Sequence, residues 1–457
     1  MGKSVNLESL YTRLPIAFQN VAVCSEGWRI ARRRYGRDYA AIEAAVRGRE
    51  ALLKSELHQC QTNRLRQHFS AAAQTPFWKN RFREFGLDPH SPDPLAALSR
   101  LPVLTKSDVT SNVDELHNPT LSTRDLLSVH TSGTTGSGLN FRETQNAEKE
   151  RWAIWWRYRH WHNISHDMWC GYFGGRSVVP LTQSAPPYWR LNYPGRQILF
   201  SGYHLSPATA EAYLAALNQY SPPWLHGYPS LLSLIASYIL ERGRPLKTAP
   251  RIVTIGAENL LPQQRDLMER AFGCPVRQHY GQAESVANIS ECPNGHLHID
   301  EDFSFVELIP LEHHPDVFRI IGTNWSNPAF PLFRYDTGDL AHYSEGTQSC
   351  DMTGRVIDSI DGRKEDYVVL PSGARLGRLD HIFKDLTQIR EAQIYQPNRE
   401  TLIFRIVKRD DYTADSERRL LEEARKRLGH EVSIQVEYLA ALERGKTGKL
   451  RFVVSGV

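Results

Sequence analysis

Thr131-Ser132-Gly133-Thr134-Thr135-Gly136-Ser137-Gly138 is the stretch whose chemistry orders the rest of the chain. Its glycines let the backbone come close to a ligand and take φ > 0. Threonine and serine hydroxyls crowd the same space, and with backbone N–H groups they make a cradle for a phosphate. A Walker loop is excluded: Gly133 and Gly138 have its spacing, but Leu139 stands where that loop needs Lys. No Gly-x-Ser-x-Gly turn occurs here, which excludes a nucleophile elbow. Before the loop, Leu126-Leu127-Ser128-Val129-His130 reads as a strand. After it, residues 147–161 carry Trp152, Trp155, Trp156, Tyr158 and Trp161 at near-helical spacing, a stripe expected to pack in the core.

Outward from the loop the chain reads as an α/β protein. Residues 1–75 are helical in pattern, and Arg29, Arg32, Arg33 and Arg34 are expected on a solvated helix face. A loop at Asp88–Pro94 ends this helical text. From 165 onward, short apolar runs alternate with helical stretches at 207–219, 229–242 and 261–272, the pattern of a sheet covered by helices. Residues 303–357 are rich in strands and turns. A charged helix at 414–428, a strand at 431–438 and a basic tail close the sequence. Its 457 residues exceed what one core usually holds, and the boundary is expected near 361–365. A net charge of +4 suits a polyanionic small ligand and is too weak to point to nucleic acid. Six scattered cysteines make no disulfide framework, and no apolar run approaches the ~20 residues that span a bilayer. A cytoplasmic protein without nucleic-acid or membrane partners is the expectation.

Several further segments follow in one order. Gly256-Ala257-Glu258 comes after a strand, and His279 precedes Tyr280-Gly281-Gln282-Ala283-Glu284. Tyr335-Asp336-Thr337-Gly338-Asp339, Gly362-Arg363-Lys364-Glu365-Asp366 and Gly445-Lys446-Thr447-Gly448-Lys449 come next. With the loop at 131–136 this series resembles the adenylate-forming superfamily of acyl-CoA synthetases, adenylation domains and luciferases. Thr75-Pro76-Phe77-Trp78-Lys79-Asn80, Leu101–Asp108, His226-Gly227-Tyr228-Pro229-Ser230 and Gly295-His296-Leu297-His298-Ile299 resemble its phenylacetate-CoA ligase-like branch, close to capsular-polysaccharide-type members. The resemblance covers roughly residues 70–457. The Lys that often follows the phosphate loop in this superfamily is missing here, and Glu365 stands where Asp is usual.

The resemblance implies an α/β fold with a large AMP-binding domain over 1–361, residues 1–100 being a helical lead-in. A small mobile α+β domain over 362–457 would follow. It implies activation of a carboxylic acid by ATP and Mg²⁺ as an acyl-adenylate. The acyl group would then pass to coenzyme A, or alternatively to an amine or a cofactor. Ser132, Gly133, Thr134, Thr135 and Gly136 would hold phosphates and Glu284 the Mg²⁺. Gly256, Ala257, Glu258, His279, Tyr280, Gly281, Gln282 and Ala283 would hold the adenine end. Asp339 would accept the ribose hydroxyls, where two carboxylate oxygens suit a vicinal diol. Arg363 would approach ribose or phosphate and Glu365 would be the hinge. Lys449, with Lys446 as competitor, would bridge the reacting oxygens. Tyr172, Phe173, Gly174, Tyr228 and His226 would line the acid pocket, with His226 as a gate or as a structural residue. Some relatives hold zinc, for which Cys292, His298 and Cys350 are three candidate ligands. The other class of reading is a degenerate nucleotide-binding protein of polysaccharide assembly; it predicts losses at Thr134, Glu284, Asp339 or Lys449, and all four are intact.

Overall fold

The computed structural model describes residues 7–130, 139–175, 178–312, 314–344, 350, 352–363, 368–371, 375–376, 379–383, 386, 388–444 and 450–457. They form two compact units, each built from separate stretches of chain. One comprises Met1–Trp28, His166–Gln278 and Gly362–Val457, the other Arg29–Ser165 and His279–Asp361.

In the first unit the alternating text of 165–280 folds as a mostly parallel sheet. Across it run Val276–Gly281, Ile252–Ile255, Trp224–Gly227, Cys170–Gly174 and Gln197–Ser201, all parallel. Trp189–Asn192 lies antiparallel at the edge. Every residue of Ile252–Ile255 is buried, as expected of a parallel strand covered on both faces. Helices Ala210–Tyr220, Pro229–Glu241 and Pro262–Phe272 supply the cover, and Leu231, Ile235 and Ile239 pack in one core with Phe173 and Phe200. Pro229 and Pro262 start their helices, where a missing N–H costs nothing.

The C-terminal part of this unit is a four-stranded sheet ordered Ser433–Tyr438, Thr401–Lys408, Ile389–Asn398, Val453–Ser455. Helix Ala414–Leu428 begins on a Thr413 cap, whose hydroxyl accepts from the Ser416 N–H. It buries Leu420, Ala424 and Leu428 against Phe404 and Ile406.

The second unit is helical at its start and sheeted at its end. Thr75 caps helix Pro76–Glu84, and the Trp78 indole N–H donates to the Pro331 carbonyl at 2.8 Å. Thr105 and Asp108 form a reciprocal capping box on Lys106–Ser111. The branch-like segments at 75–80 and 101–108 therefore contain helix starts. Helix Gln145–Trp161 buries Trp156 and Tyr158 of the aromatic stripe, while Trp152, Trp155 and Trp161 are only half-buried. One expectation is corrected. Arg33 and Arg34 do not sit on a solvated face, because both pair with the buried Glu148, at 2.7 and 3.1 Å. A carboxylate placed inside recruits the nearest guanidinium groups. Among the described residues no helix is long and apolar enough to cross a membrane.

Candidate functional site

The first unit sets its candidate residues along the C-terminal ends of parallel strands, where open α/β sheets bind ligands. Tyr172, His226 and Thr254 are register partners on three adjacent strands, so their side chains share one face. The His226 ring lies 5.7 Å from that of Tyr172, and its Nδ1 is 2.9 Å from the Thr254 hydroxyl. Strand alternation turns Phe173 the other way. It is fully buried and stacked on Phe200 at 4.4 Å, which makes it a core residue and corrects its reading as pocket lining. Gly227 is required by close approach: a Cβ there would sit 2.0 Å from the Phe173 carbonyl oxygen. Just beyond it, Tyr228 is anchored by its N–H to that carbonyl, and burial raises its hydroxyl pKa.

Gly256-Ala257-Glu258 follows the next strand. The Gly256 N–H donates to the Gly227 carbonyl at 3.3 Å, tying the two strand ends together. Ala257 is exposed with φ +68°, a conformation that costs ~1–3 kcal/mol and persists where surroundings enforce it. Glu258 does not reach outward. Its Oε2 accepts the Ser230 N–H at 3.1 Å and its Oε1 the Leu450 N–H at 2.8 Å. Burial pushes its pKa up and Arg444 pulls it back down.

In the second unit, Tyr280 and Asp339 meet. The Tyr280 hydroxyl donates to Asp339 Oδ2 at 2.7 Å, and the Gln282 amide donates to the same hydroxyl. Burial, and then the Asp339 charge, raise the Tyr280 pKa, so it stays a neutral donor. The segment Thr337-Gly338-Asp339 is a bulge. Between Arg319 and Ile321 the register to Leu332–His342 shifts, and Gly338 takes φ +75°. The Thr337 hydroxyl donates to the Ile320 carbonyl at 2.8 Å and accepts the Asp339 N–H at 3.0 Å. A bulge re-aims a side chain out of a ladder, and here it turns the Asp339 carboxylate towards Tyr280.

Gly281 is pressed by its neighbours: a Cβ would meet Asn288 Oδ1 at 2.8 Å. Beyond it, Ala283–Ser285 is held by residues the sequence reading missed. Arg151 pairs bidentately with Glu143, at 2.6 and 2.9 Å, and donates to the Ala283 carbonyl and the Ser285 hydroxyl. The Asn324 amide donates to the Glu284 carbonyl at 2.9 Å. Nothing local in the sequence marks Arg151 or Asn324, since each acts at a distance of many residues. His279, beside this segment, is kept neutral by burial, its pKa pushed down to about 3.

A second cluster lies at the turn between Asn288–Glu291 and Leu297–Ile299. Gly295, at φ +86°, closes that turn. Cys292, His296, His298 and Cys350 bring one ligand atom each to within 4.8 Å of one another, and the two sulfurs are 4.0 Å apart. His296 is a fourth candidate ligand that spacing alone did not reveal. Both His298 ring nitrogens are buried without a well-formed hydrogen bond, although backbone at Gly354 and Thr353 approaches. Two thiols and two imidazoles fit a tetrahedral zinc ion.

Ser132, Gly133, Thr134, Thr135, Gly136, Glu365, Lys446 and Lys449 lie outside the described residues, as does the side chain of Arg363, whose backbone ends strand Ser359–Arg363.

Comparison with known proteins agrees with this architecture. The family model "CapK C-terminal domain" matches residues 371–456. The protein CapK of Staphylococcus aureus is 26% identical over 459 residues, covering 99% of this chain and 100% of that protein. A phenylacetate-coenzyme A ligase of Escherichia coli (strain K12) is 24% identical over 337 residues, 69% of this chain and 73% of the ligase. Among solved structures, a 2-hydroxyisobutyryl-CoA ligase in its postadenylation state superposes with a TM-score of 0.67 at 16% identity. That match covers 89% of this chain and 91% of the other, and it speaks for the fold alone.

Proposed function

We propose that the chain is a ligase of the adenylate-forming superfamily, of its phenylacetate-CoA ligase-like branch near the capsule-type proteins it resembles, and that it activates a small carboxylic acid as its acyl-adenylate and passes the acyl group to coenzyme A. The observation that carries this reading is the Tyr280–Asp339 pair on its bulge, a carboxylate that would suit a ribose diol.

An oxygen of the acid attacks the α-phosphorus of ATP. The new P–O bond replaces the bond to pyrophosphate, which leaves with its electron pair. Such a step needs positioning and charge stabilisation more than covalent help. Asp339 would accept ribose hydroxyls, with Tyr280 fixing its orientation. Tyr172, His226 and Tyr228 would border the acid, an aromatic lining that suits a flat or modest-sized one. Ser132–Gly136 would hold phosphates and Lys449 would bridge the reacting oxygens. Glu284 is a hard oxygen donor on a clamped turn, and one carboxylate with substrate phosphates is a usual Mg²⁺ site; the ion would neutralise phosphate charge. Cys292, His296, His298 and Cys350 would hold zinc with four protein ligands and no open position, a structural and not a chemical role. Residues 362–457 would turn about Glu365 to admit the thiol after adenylation. Phenylacetate-coenzyme A ligases among the similar proteins favour coenzyme A as acceptor.

The test is carboxylate-dependent ATP–pyrophosphate exchange across aryl, aliphatic and amino acids, with Lys449→Ala in parallel. Exchange with one acid class, lost in the variant, is expected. Absence of exchange with every acid, despite ATP binding, would overturn the reading. Exchange undiminished in the variant would move the bridging role to Lys446.

A further inference from the structure

The turn that carries Glu284 is held from outside at three successive residues. The Ala283 carbonyl and the Ser285 hydroxyl accept from Arg151, at 3.4 and 3.2 Å, and the Glu284 carbonyl accepts from the Asn324 amide at 2.9 Å. Ser285 closes the turn, its N–H donating to the Gln282 carbonyl at 3.2 Å. It does so with φ +57°, a left-handed backbone that a serine keeps only where its surroundings enforce it. Arg151 can enforce it because it is itself immobilised. Its guanidinium is gripped bidentately by Glu143, and the two residues are only 9% and 4% exposed. Glu143 lies on strand Asn140–Thr144 and Arg151 on helix Gln145–Trp161. Thr144 joins them and caps the helix, its hydroxyl accepting the Ala147 N–H at 3.1 Å. Asn327 fixes the strand in turn, accepting the Thr144 N–H and donating to the Arg142 carbonyl. A buried ion pair is a weak source of stability, because desolvation offsets its attraction. What this pair supplies is direction, since a planar fork anchored on a carboxylate holds its donors at fixed positions.

We propose that Arg151, oriented by Glu143, is a positioning residue: by fixing Ala283 and Ser285 it sets the Glu284 carboxylate between them for Mg²⁺. The inference rests on the reading of Glu284 as the Mg²⁺ ligand under the proposed function. A Mg²⁺ site demands near-octahedral geometry and takes only one or two carboxylates, so a lone carboxylate must be delivered accurately. Outer partners that orient a metal ligand are worth on the order of 10–100-fold in metal affinity. Two other roles for Arg151 fit less well. Direct contact with phosphate needs donors turned away from protein, whereas both terminal nitrogens of Arg151 are engaged by Glu143, one of them also by Ala283 and Ser285. A pair serving stability alone has no need of a left-handed serine beside it.

The experiment measures ATP binding to the full-length protein by calorimetry, with Mg²⁺ and with EDTA. It compares the wild type with Arg151→Lys, Glu284→Ala and the double variant. Lysine keeps a charge beside Glu143 but lacks the fork. Arg151→Lys is expected to weaken Mg²⁺-dependent binding on the order of 10-fold while metal-free binding stays within about twofold. In the Glu284→Ala background the same substitution should add no more than about twofold, because residues that act through one another are not additive. Hydrogen exchange across 283–286, followed by mass spectrometry, should quicken in Arg151→Lys. Glu143→Gln leaves Arg151 in place with one acceptor oxygen, and should give the same split at smaller size if Arg151→Lys does not fold. Equal losses with and without Mg²⁺, or losses that multiply in the double variant, would overturn the proposal and make Arg151 a residue of the fold alone. Unchanged exchange across 283–286 would overturn it too. Failure of the underlying reading looks different: wild-type binding would then be indifferent to Mg²⁺ and to Glu284→Ala, with no Arg151 variant involved, and exchange across 283–286 would still decide whether Arg151 clamps the turn.

Discussion

His68 is a histidine placed inside the core of the second unit. It is fully buried, its ring lies 4.7 Å from Phe333, and neither ring nitrogen makes a well-formed hydrogen bond. Burial, partly offset by backbone at Leu332, pushes its pKa from 6.5 down to about 3. The unfolded chain therefore takes up a proton that the folded one refuses. Stability is complete above pH ~6.5 and declines as pH falls from there towards 3, by on the order of 4 kcal/mol over the whole interval. His68→Phe keeps an aromatic ring and removes the proton. Urea unfolding at pH 8 and pH 5 should show a smaller acid loss in the variant, with His279 and the other histidines that burial keeps neutral, His117, His204 and His298, contributing to what remains. An identical pH dependence in both proteins would mean that His68 is protonated in the folded state. Sequence could not announce this residue, because a lone histidine in a helix looks alike whether it faces Phe333 or water. The turn that carries Asp339 is local by contrast: Thr337 and Gly338 beside it make the bulge, and a bulge of that kind is written in adjacent residues.

At the scale of elements the same distinction separates what was read from what was missed. Strands such as Ile252–Ile255 and helices such as Ala414–Leu428 follow local periodicity, and the sequence located both. The metal-ligand cluster was read only to three members. Cys350 reaches the hairpin from 58 residues away, and which neighbour completes the set depends on how the Gly295 turn directs His296 and His298. If zinc fills it, the protein as purified should contain about one zinc per chain by plasma mass spectrometry. His296→Ala and Cys350→Ser should each lower that content. A site loaded at a thousandfold over its Kd stabilises by about 4 kcal/mol, so chelation should lower the thermal midpoint of the wild type and leave Cys350→Ser unmoved. Metal-free protein whose midpoint ignores both chelator and zinc would show these four residues to be packing groups.

On the proposed function the molecule would perform two half-reactions that ask for different surroundings. Adenylation would need a lysine held close, and the contacts of Arg444 with Ser230 and Glu391 and of Leu450 with Glu258 would serve that state. Acyl transfer would need room for a thiol, and those contacts would then have to part. Each is a hydrogen bond or ion pair whose donors and acceptors water can satisfy once exposed, so release carries a modest net cost. An apolar seam of the same size would resist parting more strongly. The hinge expected at Glu365 would carry this demand, since backbone rotation there would separate the two states. Glu365→Pro fixes φ near −65° and removes one N–H. ATP–pyrophosphate exchange should survive in that variant, while coenzyme A-dependent product formation should fall on the order of 10²-fold, the cost of a misplaced reacting group. Single-turnover measurements with preformed acyl-adenylate locate the loss in the second half-reaction. Equal damage to both halves would mean that residue 365 supports the fold as a whole, and that the turn between states lies elsewhere in the chain.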